Sequence, residues 1–397
     1  MAAKEAGKDV RAPVVLGLDF GGSKIAAAVA DLAGNRMTET TVTTDPLLGA
    51  RWNLDRGLAA ARALLDQVAP VNELAAVGAC TFGIPAAHGV GLAPAILGWE
   101  ELALGQELAA TFKGSALRLA TDVKAAAAAE ASSGALVGHD PAIYLNLGTG
   151  LAVAIVSGGK VITGANGAAG EIGYNLRQLS DLGQDERVVL EEVVSGMGLA
   201  AAAQLKTGRV LTAAEVFAGE ATDPRLEEVI EQFVRELGFH LANLAVALDP
   251  SRIAVGGGMV RSWERLEPLL RRTLETTVPF PPELVVGAFP FDAPLVGALN
   301  LALGAAAERF GAANDGGLLL GGQAVRISGD RIGHDLRAPS NGSPQQQSQT
   351  SGEWPGAEAG DELRRSGAPI LEQRKTGGRF SCFRSASTAS ISLGWCL

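Results

Sequence analysis

Several residue types are scarce in this sequence, and each scarcity excludes a class of protein. The 397 residues include only three cysteines, Cys80, Cys382 and Cys396. Because they are odd in number and far apart, they exclude a disulfide framework and a zinc site built from cysteine. Such sparse cysteine fits a reducing compartment, and we expect a cytoplasmic protein.

Positive charge and long apolar runs are scarce as well. The net charge is −10 at pH 7, which does not suggest a surface for nucleic acid. No apolar run is long and uncharged enough to span a membrane, and residues 1–13 lack the apolar segment of a signal peptide. We therefore expect neither nucleic acid nor a membrane as a partner.

The most informative stretch begins at residue 14. An apolar run over residues 14–18 predicts a buried strand. An acid, two glycines, a hydroxyl and a lysine follow it: Asp19, Gly21, Gly22, Ser23 and Lys24. The glycines can adopt φ > 0 and let backbone N–H groups approach an anion, while Asp19 is placed to hold Mg²⁺ through water. The stretch is typical of a phosphate loop, and an ordinary Gly-Gly hairpin turn is the alternative.

Two further glycine turns follow strands later in the chain. Residues 142–147, Gly148-Thr149-Gly150 and residues 151–157 repeat the strand–turn–strand pattern of the opening stretch. Two such copies suggest two related halves that face one cleft. Gly256-Gly257-Gly258 is either a further nucleotide contact or a tight strand-to-helix turn. None of the turns matches the G-x-x-x-x-G-K-[ST] pattern of a P-loop.

Hydrophobic periodicity predicts an alternation of strands and helices up to residue 309. We expect helices at residues 53–68, 102–111, 123–133, 191–204, 213–219, 225–247, 262–275 and 294–308. We expect strands at residues 14–19, 25–31, 37–44, 74–81, 117–120, 142–147, 151–157 and 253–255. Residues 310–397 lack long periodicity and are predicted to form a disordered tail; a partner-binding tail and a shifted reading frame are the alternatives.

Taken in order, these motifs resemble the ROK family of the actin-like ATPase and sugar kinase superfamily. The residues that carry the resemblance are Asp19-Phe20-Gly21-Gly22-Ser23-Lys24, Thr121-Asp122, Leu147-Gly148-Thr149-Gly150, Gly170-Glu171-Ile172-Gly173-Tyr174, Glu191 ahead of Ser195-Gly196, and Ala254-Val255-Gly256-Gly257-Gly258. The resemblance implies an α/β, actin-like (ribonuclease H-like) fold with two lobes around a cleft. The small lobe would be 13–121 and the large lobe 122–309, with the last helix, 294–308, packed on the small lobe.

The resemblance also implies an activity. A ROK kinase of this kind would phosphorylate a hexose, with glucose as the first guess, or an amino-hexose, at the expense of ATP. The three glycine turns would hold Mg²⁺ and ATP. A homodimer is expected from the resemblance alone.

Asp122 is the expected catalytic residue. It follows a short strand and precedes an Ala-rich helix, where a carboxylate can point into a cleft. A carboxylate there can accept the proton of the attacking sugar hydroxyl, and the family's catalytic Asp falls at this position by motif. The alternative is that Asp122 caps the helix N-terminus.

The resemblance places the sugar beside two further carboxylates. Glu171 can accept hydrogen bonds from two sugar hydroxyls. Glu191 matches the family's second sugar-binding carboxylate, and a solvated helix charge is its alternative. Gly83 resembles a wall of the sugar site, and Thr121 and Tyr174 stand at two more positions that contact the sugar.

Three positions depart from the family pattern. Tyr174 stands where the family has His, and Thr121 and Ala95 stand where it has Asn. Residues 178–189 replace the family's cysteine motif and contain no cysteine, so we predict no zinc and a loop held by packing. These departures leave the sugar undetermined. They also leave open a catalytically weak sugar sensor or a transcriptional regulator of the same family.

Overall fold

The computed structural model describes residues 12–68, 72–219 and 222–310, and the backbone of residues 318–320 and 323–325. Most of the predicted tail, 310–397, therefore lies outside the described residues. One part of it departs from the prediction, since Leu318–Leu320 and Gln323–Val325 pair as antiparallel strands. The sequence between them is Gly321-Gly322, a dipeptide typical of two-residue hairpins.

The described chain contains two five-stranded sheets and eight α-helices. The strands up to residue 286 are β1 (Ala12–Phe20), β2 (Lys24–Asp31), β3 (Arg36–Thr43), β4 (Asn72–Thr81), β5 (Ile84–Ala86), β6 (Gly89–Gly91), β7 (Ala116–Thr121), β8 (Ala142–Leu147), β9 (Leu151–Ser157), β10 (Lys160–Val161), β11 (Arg252–Gly256) and β12 (Glu283–Val286). The helices are α1 (Gly49–Val68), α2 (Leu104–Thr111), α3 (Asp122–Ser133), α4 (Gly196–Thr207), α5 (Ala213–Gly219), α6 (Pro224–Leu248), α7 (Trp263–Thr277) and α8 (Ala293–Arg309).

The two sheets share one topology. The first has the strand order β3-β2-β1-β4-β7, and the second has the order β10-β9-β8-β11-β12. In each, three consecutive antiparallel strands are followed by two parallel ones. The duplicated hairpin in the sequence therefore reflects a duplicated sheet.

Strand register brings the chemically interesting residues to the carboxyl edges of both sheets. In the first sheet Asp19 pairs with Cys80, which pairs with Ala120 just before α3. In the second sheet Asn146 pairs with Gly256. Because ligands of open α/β sheets bind beyond the carboxyl ends of parallel strands, these two edges are where a site is expected.

Both faces of the second sheet are covered, which explains why β8 is apolar throughout. Ile143 and Leu145 lie in the core formed with α6 and α7. Ala142 and Tyr144 point to the other face and pack against alanines of α3. Continuous apolar runs are typical of strands buried on both sides.

Glycines let α8 approach the first sheet closely. A Cβ on Gly17 would lie 2.8 Å from Leu299 Cγ, and a Cβ on Gly78 would overlap the carbonyl oxygen of Ala298. Helix α8 also lies against α3, where a side chain on Gly297 would meet the backbone of Ala125. The helix therefore connects the first sheet to the helix that carries Asp122.

The predicted elements agree with the structure except at a few places. The helix expected at 191–204 is a 3₁₀ turn, Leu190–Glu192, and then α4, because the Ser195 hydroxyl accepts a hydrogen bond from Gly198 N at 3.1 Å and starts a new helix. Strands β5, β6, β10 and β12 were not predicted, since they have two to four residues. None of the helices within the described ranges has the length and hydrophobicity needed to cross a membrane.

Candidate active site

A cavity of about 610 Å³ opens at the carboxyl edges of the two sheets. Most of the predicted site residues line it: Asp19, Gly21, Gly22, Ser23, Lys24, Gly83, Asp122, Gly148, Thr149, Gly150, Glu171, Tyr174, Glu191, Gly257 and Gly258. Ala95 lies on its wall as well. Thr121 and Gly256 are not part of the lining. The structure thus brings together residues that are more than 200 positions apart in sequence, Asp19 and Gly257.

The first two glycine turns meet directly. Ser23 Oγ of one lies 3.3 Å from Thr149 Oγ1 of the other, within hydrogen-bonding distance. Each turn is closed by its own backbone, since Gly21 N donates to Lys24 O at 2.9 Å and Gly148 N donates to Gly150 O at 3.1 Å. Within the described chain the amides of Ser23 and Thr149 have no protein acceptor, which leaves them free for an anion.

Only the third turn uses the left-handed backbone expected of such glycines. Gly257 has φ of +96°, and a Cβ there would lie 2.6 Å from Leu147 O. Gly21 and Gly22 do not have positive φ; a Cβ on Gly21 would instead lie 2.8 Å from Lys24 O. Gly256 ends β11, where a side chain would overlap the Tyr144 hydroxyl, so Gly256 permits packing behind the cavity rather than lining it.

Asp19 is a buried carboxylate in the cavity wall. Its side chain is 6% exposed, and the Cys80 thiol donates to its Oδ1 at 3.5 Å. Burial, partly offset by the Cys80 hydrogen bond and the Lys24 charge, raises the pKa of Asp19 to about 6. Lys24 itself donates from Nζ to Phe291 O at 3.4 Å.

Asp122 is the first residue of α3, and its carboxylate reaches the same cavity. Its Oδ1 accepts a hydrogen bond from Val123 N at 2.7 Å. Burial, and then the charges of Asp19 and Glu171, raise the pKa of Asp122 from 3.8 to about 7. A carboxyl that titrates near neutrality is suited to accept a proton from a hydroxyl.

Thr121, not Asp122, caps α3. The Thr121 hydroxyl accepts a hydrogen bond from Lys124 N at 3.3 Å, and the residue is 4% exposed. The N-cap alternative for Asp122 is therefore wrong. The position of Thr121 also differs from the expected one in the sugar site, because its side chain turns back onto the helix and is not in the cavity wall.

Glu171 and Glu191 lie in the cavity wall with different partners. Glu171 Oε1 is 3.7 Å from the Lys124 ammonium, and burial raises the pKa of Glu171 while Lys124 lowers it. Glu191 Oε2 accepts a hydrogen bond from Leu151 N at 2.7 Å. The alternative of Glu191 as a solvated helix charge is therefore wrong, and one of its oxygens holds the second glycine turn in place.

Polar contacts attach the segment just before the loop 178–189, which replaces the cysteine motif, to α6. Arg177 forms a two-point ion pair with Glu236 of α6, at 2.6 and 2.7 Å. Asn175 hydrogen-bonds with His240 of the same helix at 3.2 Å. That packing holds the loop itself stays a prediction. No group of three or more His, Cys, Asp or Glu side chains in the described part of the chain is arranged to hold a metal.

Sequence reasoning missed several residues of the cavity wall, among them Asn146, Arg261 and Phe291. Asn146 is the last residue but one of β8. Arg261 follows the third glycine turn, with its guanidinium 4.3 Å from the centre of the Phe291 ring. Arg261 could have been suspected, because it is three residues beyond Gly258. Phe291 belongs to the loop before α8 and has no local sequence signal, since only tertiary folding brings it to the cavity.

Comparison with known proteins gives a family model and several sugar kinases that are similar to this chain. A family model described as "ROK family" matches residues 15–305. The chain is 34% identical over 190 residues to a glucokinase of Halalkalibacterium halodurans, covering 43% of this chain and 57% of the relative. It is 30% identical over 166 residues to an N-acetylmannosamine kinase of Escherichia coli, covering 41% of this chain and 56% of the relative. These matches thus span little more than half the length of the two relatives.

A solved structure is similar over a longer range. The ROK family glucokinase of Streptomyces griseus, in complex with glucose and AMPPNP, is 28% identical, with a TM-score of 0.60. The match covers 73% of this chain and 99% of that one. The expected α/β, actin-like fold class is thereby confirmed. The family model spans most of the sequence, and the chain belongs to the ROK family.

Proposed function

We propose that the chain is a sugar kinase that transfers the γ-phosphoryl group of ATP to a hydroxyl of a hexose or an amino-hexose. The observation that carries the proposal is the Asp122 carboxylate, partly buried in the wall of a cavity that three glycine turns also line. The Streptomyces griseus relative, whose structure contains glucose and AMPPNP, supports this proposal and makes glucose the first substrate to test.

In this proposal Asp122 acts as the general base. Its ionised carboxylate accepts the proton of the sugar hydroxyl as that oxygen bonds to the γ-phosphorus. The bond from the γ-phosphorus to the bridging oxygen breaks, and ADP leaves with that electron pair. Amides of the first two turns, including those of Ser23 and Thr149, would bind the phosphates, and the third turn would lie against the nucleoside.

Asp19 fits Mg²⁺ as a ligand through water. A hard oxygen donor suits this ion. Among the described residues, a thiol donor and the Lys24 charge are what offsets the desolvation of the buried Asp19 carboxylate. When bound, Mg²⁺ would neutralise phosphate charge. We do not expect zinc, because residues 178–189, which replace the family's cysteine motif, contain no cysteine, and polar contacts attach the segment before them to α6.

The sugar would lie between Gly83, Tyr174 and the two carboxylates Glu171 and Glu191. We further propose that residues 13–121 and 122–309 form two lobes that close around the substrates and exclude water. The packing of α8 on β1 and β4 supports the assignment of that helix to the small lobe. A homodimer is proposed from family membership.

The decisive experiment is a coupled assay of ADP release over a panel of hexoses and amino sugars. We expect turnover with at least one sugar, and its loss in Asp122→Asn. A sugar that binds in calorimetry without ADP release would instead favour the sensor, which the Thr121 and Tyr174 departures motivate. Absence of both binding and turnover over the whole panel would contradict both functions.

A further inference from the structure

Lys124 occupies an unusual place in the first turn of α3. Its side chain is 6% exposed, so nearly all of it is buried. Its ammonium has no hydrogen-bond partner within the described residues. The first turn of a helix also carries a positive partial charge, which disfavours a cation there.

A buried ammonium without hydrogen bonds is costly, so an opposite charge is expected close by. That charge is Glu171, whose Oε1 lies 3.7 Å from Lys124 Nζ. The distance is that of an ion pair but too long for a hydrogen bond. The other acidic groups that interact electrostatically with Glu171 are Glu191 and Asp122.

The two partners face the cavity differently. Glu171 lines the cavity, whereas Lys124 does not. The segment that carries Glu171 is attached to β9, since Val153 N donates to Gly170 O at 2.9 Å, and α3 packs on the same strand. Lys124 therefore reaches Glu171 from behind the cavity wall.

We propose that Lys124 is a positioning residue that keeps the Glu171 carboxylate ionised and aimed into the cavity, where it accepts hydrogen bonds from the sugar. The inference rests on the proposed function, because it assigns a support to that site's acceptor. Glu191 is a like charge that acts on Glu171, and it is itself fixed by Leu151 N. Without the ammonium, Glu171 would protonate or move away from Glu191.

The kinetic test compares Lys124→Met with the wild type. Methionine keeps the length of the side chain and removes the charge. The sugar KM should rise about tenfold, the scale of a hydrogen bond to a charged group, while the KM for ATP stays nearly unchanged. Lys206→Met removes a surface lysine paired with Glu228 and should change neither KM. An unchanged sugar KM in Lys124→Met would overturn the proposal.

A double-mutant cycle separates positioning from a general structural role. If Lys124 acts through Glu171, adding Lys124→Met to Glu171→Gln should raise the sugar KM no further. The acid limb of kcat/KM for the sugar should move to higher pH in Lys124→Met, because Glu171 then protonates more readily. In the Glu171→Gln background this movement should be absent. Full additivity of the two changes in KM would contradict the proposal.

Thermal unfolding tests the pair without any turnover. Glu171→Gln should lower the Tm, because it leaves a buried ammonium unpaired, and adding Lys124→Met should recover most of that loss. Lys124→Arg keeps the charge and should retain the wild-type sugar KM within a few fold. It is the variant to measure if Lys124→Met does not fold. If the wild type is inactive on every sugar, the proposed function is wrong. If the Tm does not recover in the double variant, the pairing of Lys124 with Glu171 is wrong.

Discussion

Asp122 shows how burial can prepare a residue for chemistry. The sequence placed it between a strand and a helix, but its raised pKa depends on burial and on the charges of Asp19 and Glu171. Those neighbours come from two other segments of the chain. The position of the Asp122 carboxylate is thus set locally, whereas its raised pKa depends on tertiary packing.

Asp122→Asn should lower kcat by about 10³-fold, within the range expected for the loss of a general base. The binding of AMPPNP should stay within a few fold of wild type, because the glycine turns are untouched. Asp66→Asn, on the exposed face of α1, is the control and should keep wild-type kcat. Steady-state kinetics and calorimetry measure both quantities; a variant that turns over at the wild-type rate would refute the role of Asp122.

The same substitution should stabilise the protein, and more so at high pH. Folding raises the pKa of Asp122 from 3.8 to about 7, so the folded protein binds this proton more tightly than the unfolded chain does. The resulting contribution to stability is present below pH 3.8 and is lost as pH rises to about 7. Asparagine does not titrate. Without Mg²⁺ and ATP, the Tm of Asp122→Asn should therefore exceed that of wild type by more at pH 8 than at pH 5. An excess independent of pH would contradict the pKa shift.

At the scale of elements, the third glycine turn differs from the other two in its backbone conformation, which the sequence pattern does not reveal. The three turns look alike in sequence, yet only Gly257 combines positive φ with a steric need for glycine. The first turn is closed by a contact between Gly21 and Lys24, and the second lies beside Glu191. Similar sequences thus impose different backbone requirements.

Gly257→Ala should raise the KM for ATP and lower the Tm. A Cβ at Gly257 is both strained by φ and 2.6 Å from Leu147 O. Gly208→Ala is a matched control, because Gly208 has φ of +74° and open space around its Cβ position. The control should cost about 1 kcal/mol of unfolding free energy and leave both KM values unchanged. Equal effects of the two substitutions would show that the contact with Leu147 does not matter.

The loop around residues 175–181 should not depend on zinc. Its ion pair from Arg177 to Glu236 and its contact from Asn175 to His240 connect it to α6. We expect elemental analysis to find no stoichiometric zinc and chelators to leave the Tm unchanged. One zinc per chain would contradict this prediction.

Arg177→Met should lower the Tm and raise the sugar KM, because the loop begins next to Tyr174 and Glu171. Removing one partner of a partly buried pair leaves the other uncompensated, so Arg177→Met combined with Glu236→Gln should be less destabilised than the sum of the single variants. Strict additivity in thermal unfolding would show that the ion pair does not hold the loop.

For the whole molecule, the main feature is one cavity lined from two sheets of equal topology. Ser23 and Thr149 already touch across it. A ligand pair that fills the cavity would contact both sheets and α3. The two substrates should therefore stabilise the protein together more than they do separately.

This cooperativity is measurable by thermal unfolding. AMPPNP and an accepted sugar, added together at fixed concentrations, should raise the Tm by more than the sum of their separate shifts. Ligands that bind only the folded state stabilise it by mass action. The excess arises because each ligand orders the site for the other. A sugar that the kinase rejects is the control. Strictly additive shifts would argue against closure around both ligands.

The sequence by itself determined the duplicated hairpin, the order of the strands and helices, the family and about half of the cavity-lining residues, because these depend on local hydrophobic period and on short motifs. Only the tertiary structure decided that Thr121 caps α3, that Gly256 lies behind the cavity, that Phe291 reaches it, and that Lys124 stands behind Glu171. Each of these depends on side-chain direction or on contacts between distant segments. The titration of Asp122 belongs to the same group, since burial and neighbouring charge arise only once the sheets and α3 are packed together.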